Sequence, residues 1–495
     1  MECRMPSVWS ILGLATAIKV LLVPAYKSTD FEVHRNWMAI TYSLPTSKWY
    51  TELTSEWTLD YPPFFAWFEW ALAQAASWAD PAMLEVPRLN YASHATVAFQ
   101  RGSVIVSEVA LLAAAWWACR SLGRRAQSLA LALVALHPGL IMVDHIHFQY
   151  NGILLGIFVA SMAALRDGQH LLGAALFAVL LNFKHIFLYA APVYFVFLLR
   201  HYCRGRSAPS RFLLLGCIVA AVFLLSLGPF VTRGQAGQLA SRLFPFDRGL
   251  VHAYWAPNFW ALYAAADKVL AAAVRRSGRW LPPTARMTGG LVGTAAFEVL
   301  PPVGSRATAL VTLVAMAPCL LHTWRFPNPA RFPQAALHCT LVSFFFGYHV
   351  HEKAILMVLV PGAVFVVHEA HPALANRFFF LTTLGTYSLF PLLYRPEEYS
   401  IKVLLLVLYT ASAPQLLSWQ LGTPSRLHTL PGAYLWGLVG VEAASSWILP
   451  YLLGSRLPFL PLALVSCYCA VGIGAALIWS SFPYISPPEP KRAPH

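Results

Sequence analysis

The chain has 495 residues, 58% of them hydrophobic and only 11% charged, with a mean hydropathy of +0.57. That composition excludes an ordinary soluble globule and implies an all-α polytopic membrane protein whose apolar surface faces lipid. The basic excess, 35 Lys and Arg against 21 Asp and Glu, reads as positive-inside loop bias, not as nucleic-acid binding. Eight cysteines are scattered, with Cys467 and Cys469 the only close pair, so neither a disulfide framework nor a zinc spacing is present.

The first apolar run, 8–25, contains Lys19 and lacks a small-residue cleavage pattern, and reads as an uncleaved first span. Further runs lie near 103–119, 127–143, 152–165, 170–183, 186–199 and 211–231. After a long gap they resume near 306–322, 334–348, 354–368, 377–393, 401–417, 431–449 and 460–480. The total is about fourteen spans, several shorter than the ~20 residues of a perpendicular helix. No soluble domain boundary or internal repeat interrupts them, so residues 1–495 read as one membrane domain.

Loop charge sets the orientation. With a cytoplasmic N-terminus, Arg120, Arg124, Arg125, Arg166, Arg200, Arg204, Arg206 and Arg211 fall inside. So do Arg325, Arg331, Arg377, Arg426, Lys491 and Arg492, whereas the opposite short loops hold only Lys184, Lys353, Arg395, Lys402 and Arg456. The asymmetry implies an even number of crossings and both termini in the cytoplasm. Two long connections, 26–102 and 232–305, then lie on the other side. Each carries an amphipathic piece, Phe64 to Trp78 and Asn258 to Val274, expected as interfacial helices. Residues 275–305 read as a surface loop with no functional pattern.

Within the first long connection, Ser28 to Trp70 holds six of the 21 acidic residues: Asp30, Glu32, Glu52, Glu56, Asp60 and Glu69. Trp37, Trp49 and Trp57 alternate with them. Carboxylates beside aromatic faces suit a carbohydrate site, supplying hydroxyl acceptors, flat apolar surfaces and a proton acceptor. The competing reading is an amphipathic loop whose tryptophans sit at headgroup level.

Other polar clusters fall on the same side. Asp144 to Asn151 (DHIHFQYN), Asn182 with Lys184 and His185, Arg242 to Phe246 (RLFPF), Asn258 to Trp260, and His349 to Lys353 (HVHEK) all close or open apolar runs. Ionisable groups there are costly unless solvated or paired, which makes their convergence a site hypothesis. His-x-His occurs twice beside an acid, but adjacent Lys353 would repel a cation, and two such histidines rarely reach one ion. An anionic ligand fits Lys353, His349 and His351 better than a metal does.

Four of these segments resemble the signatures of the endoplasmic-reticulum dolichyl-phosphate-glucose glucosyltransferases. They are Thr29-Asp30-Phe31-Glu32-Val33-His34-Arg35-Asn36-Trp37, Trp57-Thr58-Leu59-Asp60-Tyr61-Pro62-Pro63, Asp144 to Asn151, and His349 to Lys353. The resemblance implies a GT-C-type bundle with interfacial helices in two long lumenal loops. It also implies an endoplasmic-reticulum membrane enzyme acting from the lumenal face. The member adding the first glucose typically carries a Gly-Asp-Phe-Glu-Ala-Gln-Arg-His-Trp-like sequence, from which Thr29, Val33, His34 and Asn36 depart. Ser241 to Phe246 and His252 to Trp260 are similar instead to the member adding the second α-1,3 glucose. That member extends Glc1Man9GlcNAc2 on dolichyl pyrophosphate to Glc2Man9GlcNAc2. Its substrates are dolichyl phosphate glucose and the dolichyl-pyrophosphate-linked oligosaccharide, both drawn from membrane lipid, with no cofactor, metal or nucleic acid.

The implied reaction inverts a β-linked glucosyl phosphate to an α-glucoside in one in-line attack. One general base suffices, and the weakly basic phosphate leaving group needs cations in place of an acid. The resemblance gives the base to Asp30, whose competing reading is a helix cap. Lys353, His349 and His351 would receive the donor phosphate. Asp60 either binds sugar or caps the interfacial helix, and Glu32 and Arg35 either reach substrate or pair with each other. His147 and Gln149 either contact substrate or are satisfied interfacial side chains. Trp37, Trp57 and Trp255 either stack on sugar or anchor at the bilayer surface. The rivals are the first-glucose enzyme, acting on Man9GlcNAc2, and a secondary transporter, which would show paired repeats and mid-membrane breaks.

Overall fold

The computed structural model describes residues 7–244, 249–252, 254–278, 297–421, 429–454 and 456–485. All the apolar runs land on helix, since backbone polar groups in lipid are satisfied only within a helix or a closed barrel. No strand occurs among the described residues. Among the described residues, six stretches are long and apolar enough to cross a bilayer: His94–Ala118, Arg124–Phe148, Ala208–Val231, Ser305–Arg325, Pro396–Ser418 and Leu460–Tyr484. Shorter apolar helices, including Val8–Leu21, Asn151–Arg166 and His170–Phe183, fill in between them. The chain is a multi-pass helical membrane protein.

Helix α1 (Val8–Leu21) leads into α2 (Thr29–Ser43), and α3 (Pro63–Ala79) follows in the same long connection. The expected amphipathic pieces are both helical, as α3 and as the helix Phe259–Arg276. Asp267 on the latter accepts hydrogen bonds from the backbone N–H groups of Glu298, Val299 and Leu300, which fastens the end of the second long connection. Residues 279–296 and Pro245 and Phe246 of the RLFPF motif lie outside the described residues.

The second apolar run begins earlier than hydropathy indicates. α4 (His94–Ser107) and α5 (Val109–Ala118) form one rod broken at Glu108. Gln100 and Arg101 sit in its first half and are buried, so polarity there does not mean exposure. Arg101 donates to the His145 carbonyl at 2.6 Å and to the Tyr26 carbonyl at 2.8 Å. Glu108 receives Lys19 Nζ at 2.5 Å and lies 2.8 Å from His145 Nε2. Pairing is what makes such groups tolerable inside an apolar bundle.

Helix α6 (Arg124–Ala135) continues through the π-helical stretch Ile141–Phe148, and its apolar window is 94% buried, against 11% for Ala208–Val231. The former is therefore the central rod and the latter a peripheral one. Beside it the helix Asn151–Arg166 packs directly on α5. A Cβ at Gly156 would stand 2.7 Å from the Ala110 carbonyl carbon, so only glycine permits that approach. The main apolar core joins these helices to Phe332–Phe346 and Leu356–Glu369. A second, aromatic core, with Phe31, Trp37, Trp49, Tyr50, Phe65, Phe148 and Tyr150, holds α2 and α3 over one end of the bundle.

The two ends differ in charge. Arg120 pairs with Asp167 at 2.7 Å, Arg166 donates to the Ala118 carbonyl and Arg200 to the Trp324 carbonyl. Arg166 closes the helix that Asn151 opens, and lies roughly 22 Å further along its axis. The DHIHFQYN and HVHEK segments gather at the Asn151 end, beneath α2.

Candidate active site

The site begins with a turn. Phe148 adopts φ +86°, a left-handed conformation that costs a non-glycine residue about 1–3 kcal/mol. Its ring is fully buried, edge-on to Phe31 at 5.3 Å, which holds the turn in place. Asp144 fixes the same turn from below, accepting from Asn151 Nδ2 and from the Gly152 N–H, both at 2.8 Å. Asn151 Nδ2 also donates to Gln149 Oε1 at 2.8 Å. The orientation of Gln149 is thereby set, with its amide nitrogen directed at Asp30.

Asp30 lies in the first turn of α2. The cap position is Ser28, and the Asp30 carboxylate caps nothing. Its Oδ2 accepts from Gln149 Nε2 at 2.8 Å and from Lys353 Nζ at 2.7 Å, and His147 Nε2 stands 3.3 Å away. All three contacts converge on one oxygen. Oδ1 makes no hydrogen bond among the described residues, and the side chain is 22% exposed. Burial pushes this carboxyl up, but the Lys353 ammonium beside it, through its charge and its hydrogen bond, outweighs burial and holds it well below the usual carboxylate range. Burial likewise works against the Lys353 ammonium, yet Asp30 and Glu352 keep it above the usual lysine range.

The tautomer of His147 follows from its neighbours. Tyr26 Oη donates its single proton to the Leu392 carbonyl at 2.8 Å. The 2.9 Å contact between Tyr26 Oη and His147 Nδ1 therefore needs the proton on Nδ1. Nε2 is left as an acceptor for Lys353 Nζ at 3.2 Å. Ser28 Oγ holds the His147 carbonyl.

Lys353 comes from a short 3-10 turn, Glu352–Ile355, that precedes Leu356–Glu369. His349 and His351 serve the second long connection: His349 accepts φ +48°, and its N–H and Nδ1 meet the carbonyls of Leu250 and Gly249 at 3.1 and 2.6 Å. His351 stacks on His252 at 3.9 Å, and His252 Nδ1 lies 3.3 Å from Glu352 Oε2. Trp255, 8% exposed at φ +30°, lies in that same connection.

The remaining residues expected to meet substrate are placed differently. Glu32 and Arg35 form a bidentate buried pair at 2.7 and 2.8 Å, and Arg35 continues to the Met83 carbonyl at 2.7 Å. They tie α2 to the turn after α3. Trp37, 2% exposed, donates from Nε1 to the Trp57 carbonyl at 3.2 Å, so these two pin the loop to α2. The start of α3 has no side-chain cap, and Asp60 instead exerts its charge on Tyr61, Tyr50 and Lys184. Lys184 reaches Asn151 Oδ1 at 3.4 Å and lies 4.8 Å over the Tyr61 ring. Burial, then the Lys353 charge, bring it down to about 8 against the pull of Asp30, Asp144 and Asp60.

Sequence reasoning passed over Tyr26, Ser28 and the pair His34–Glu69, whose Nδ1 and Oε1 are 2.6 Å apart. Nothing local marks Tyr26 or Ser28. Glu69 faces inward from α3 on the same buried face as Phe65, Ala66 and Ala73, and its partner lies 35 residues upstream.

A carboxylate with one committed and one open oxygen, backed by an ammonium and a neutral imidazole at the end of a helical bundle, defines a membrane-embedded enzyme-like site. The chain belongs to the ALG6, ALG8 glycosyltransferase family, whose model matches residues 15–480. It is 46% identical to the dolichyl pyrophosphate Glc1Man9GlcNAc2 alpha-1,3-glucosyltransferase of Arabidopsis thaliana, over 94% of this chain and 96% of that protein. The protein of the same name from Mus musculus is 46% identical, with 94% and 93% covered, and that from Schizosaccharomyces pombe 44% identical, with 94% and 97% covered. Among solved structures the chain is similar to ArnT from Cupriavidus metallidurans bound to undecaprenyl phosphate. That match has a TM-score of 0.43 and 12% identity, over 97% of this chain and 78% of the other, too slight a likeness to define the fold.

Proposed function

We propose that this glycosyltransferase moves glucose from dolichyl phosphate glucose to Glc1Man9GlcNAc2 on dolichyl pyrophosphate, forming an α-1,3 bond with inversion. The acceptor is argued from the names and the 46% identity of relatives matched along nearly their whole length. The setting is a GT-C-type bundle of about fourteen spans in the endoplasmic-reticulum membrane, with cytoplasmic termini and a lumenal site. Lipid donor and lipid acceptor are the only co-substrates.

The observation that carries the chemistry is the asymmetry of Asp30, with Oδ2 held by Lys353 and Gln149 while Oδ1 stays open. Oδ1 takes the proton from the 3-hydroxyl of the terminal glucose as that oxygen attacks the donor C1. The C1–O3 bond forms while the bond from C1 to the phosphate oxygen breaks, and dolichyl phosphate leaves with the electron pair. Lys353, beside the base, meets the departing anion as a fixed cation, the kind of stabilisation that matters most where water is excluded. Its proton stays in place, since a phosphodiester-derived leaving group needs none.

The test is purified protein with dolichyl phosphate glucose and, separately, Man9GlcNAc2 and Glc1Man9GlcNAc2 lipid-linked acceptors. Transfer to Glc1Man9GlcNAc2 alone is expected. Preference for Man9GlcNAc2 would reverse the acceptor assignment, and transfer to neither would remove the proposal.

A further inference from the structure

The end of the bundle opposite Asp30 is rich in cations. No carboxylate occurs between Asp167 and Asp247, while Arg200, Arg204, Arg206 and Arg211 follow one another closely. They surround the turn that joins Ala191–Phe197, continued π-helically through Leu198–Tyr202, to Ala208–Val231. Two of them are fixed in place. Arg200 donates to the Trp324 carbonyl at 3.1 Å and lies 4.7 Å over that ring, and Arg211 donates to the Tyr202 carbonyl at 3.1 Å and lies 5.4 Å over that one. Arg204 and Arg206 are exposed. Among the described residues no ion pair joins any of the four to an acid, and Asp167 is taken by Arg120 and Arg166. A guanidinium has five N–H donors, so ample capacity remains for an anion. Positive-inside bias would account for the arginines, but not for what lies beneath them.

There the helices His170–Phe183, Ala191–Phe197 and Ala208–Val231 bound a cavity of about 170 Å³. Leu199 and Phe212 line it, and their chain neighbours are Arg200 and Arg211. His170, one turn before Ala174 of the facing wall, stacks on Tyr202 at 5.3 Å, which brings that wall to the same arginine turn. The lining is apolar. Its single hydroxyl, on Tyr194, is committed to Ser161 at 3.0 Å, and the Tyr194 ring lies flat on Phe177 at 3.7 Å. A cavity of this size without polar partners takes up hydrocarbon in preference to water. It follows the peripheral helix from Phe212 to Phe223, roughly 16 Å. Phe195 and Phe212 line it and are also exposed, so it is reached sideways from the membrane.

The geometry points to a binding site for an anionic glycerophospholipid, with its phosphate among Arg204, Arg206 and Arg211 and one acyl chain in the cavity. The cations select the headgroup and the apolar walls select the chain. Basic pockets between spans, at the edge of the leaflet that carries anionic lipid, are where such headgroups settle. On the orientation proposed above that leaflet is the cytoplasmic one. The phosphates of the donor and acceptor lipids belong at the Asp30 end, so this site is separate from theirs.

The experiment offers full-length protein in detergent equal amounts of palmitoyl-oleoyl phosphatidylinositol and the matching phosphatidylcholine, and reads retained lipid by native mass spectrometry. The wild type is expected to retain phosphatidylinositol in about thirtyfold preference, the effect of two cations near a charged headgroup. Arg204→Gln/Arg206→Gln, a change confined to exposed side chains, should bring the two lipids to near parity. Val219→Phe, which fills the cavity from the peripheral helix, should cut retention of both lipids about tenfold or more. If that variant does not fold, the arginine double variant decides alone. Neither glycerophosphoinositol, the headgroup without its chains, nor dolichyl phosphate should displace the bound lipid. Equal retention of both lipids by the wild type, or a preference that survives the double substitution, would leave the arginines as topology signals and overturn the inference. Displacement by glycerophosphoinositol would remove the cavity from the site, and displacement by dolichyl phosphate would make the cavity a substrate's tail groove, so either also overturns it. No glucose transfer enters the readout, and each of these failures leaves the proposed reaction standing.

Discussion

Lys353 Nζ lies 2.7 Å from Asp30 Oδ2 although the two residues are 323 positions apart. The contact joins the start of α2 to the turn preceding Leu356–Glu369, and with it the two halves of the chain. The same ammonium also lowers the carboxyl's affinity for a proton and stands where a departing phosphate would need a cation.

Lys353→Ala should therefore change two things. Glucose transfer measured in a single turnover is expected to slow by about 10²–10³-fold through loss of leaving-group stabilisation. The pH profile should also move. Asp30 must be unprotonated to act, so activity falls as the pH drops through its pKa. In the wild type Lys353 keeps that fall below the usual carboxylate range. Without the ammonium, burial dominates and the acid limb should shift upward, toward neutral pH. An unchanged acid limb would separate Lys353 from the ionisation of Asp30.

Tyr26→Phe removes the acceptor for the His147 Nδ1 proton. The imidazole is then free to carry its proton on Nε2, facing Lys353 at 3.2 Å. A fall in kcat of roughly tenfold, with substrate KM values little changed, is expected. Unaltered kcat would show that the tautomer is not held by Tyr26.

Arg35→Ala should act on stability. It leaves the buried Glu32 carboxylate without its bidentate partner and cuts the bond to the Met83 carbonyl. The expected loss is about 3–5 kcal/mol, seen as a lowered unfolding temperature in detergent. Activity per folded molecule should stay near the wild-type value. A selective rise in KM with unchanged unfolding temperature would return Arg35 to substrate binding.

Much of the site was legible because lipid makes polarity conspicuous. Asp30, His147, Gln149 and Lys353 stand at the ends of apolar runs, where an ionisable or amide group needs a reason to be there. The helices were legible for the same cause, and the run 170–183 coincides with the helix His170–Phe183. Residues buried against other protein were harder to place. Hydropathy alone starts the helix that begins at His94 only at 103, since Gln100 and Arg101 look like loop residues, and only the fold brings Arg101 to the carbonyls of Tyr26 and His145. Trp37 and Trp49 illustrate the converse, being 2% exposed in an aromatic core where interfacial anchoring was an open reading, while Trp78, at 92% exposed, sits on the surface. His34 and Glu69 meet only through the packing of α2 on α3, which no spacing in the chain announces.

The role of Asp30 is the claim on which the chemistry turns, and Asp30→Asn addresses it with the smallest change in shape. The measurement is single-turnover glucose transfer by the purified variant, saturated with dolichyl phosphate glucose and mixed with the Glc1Man9GlcNAc2 lipid-linked acceptor. The account predicts a rate lower by about 10³-fold or more, with donor affinity and unfolding temperature close to those of the wild type. A rate within about tenfold of the wild type would contradict it, since proton removal would then belong to another group.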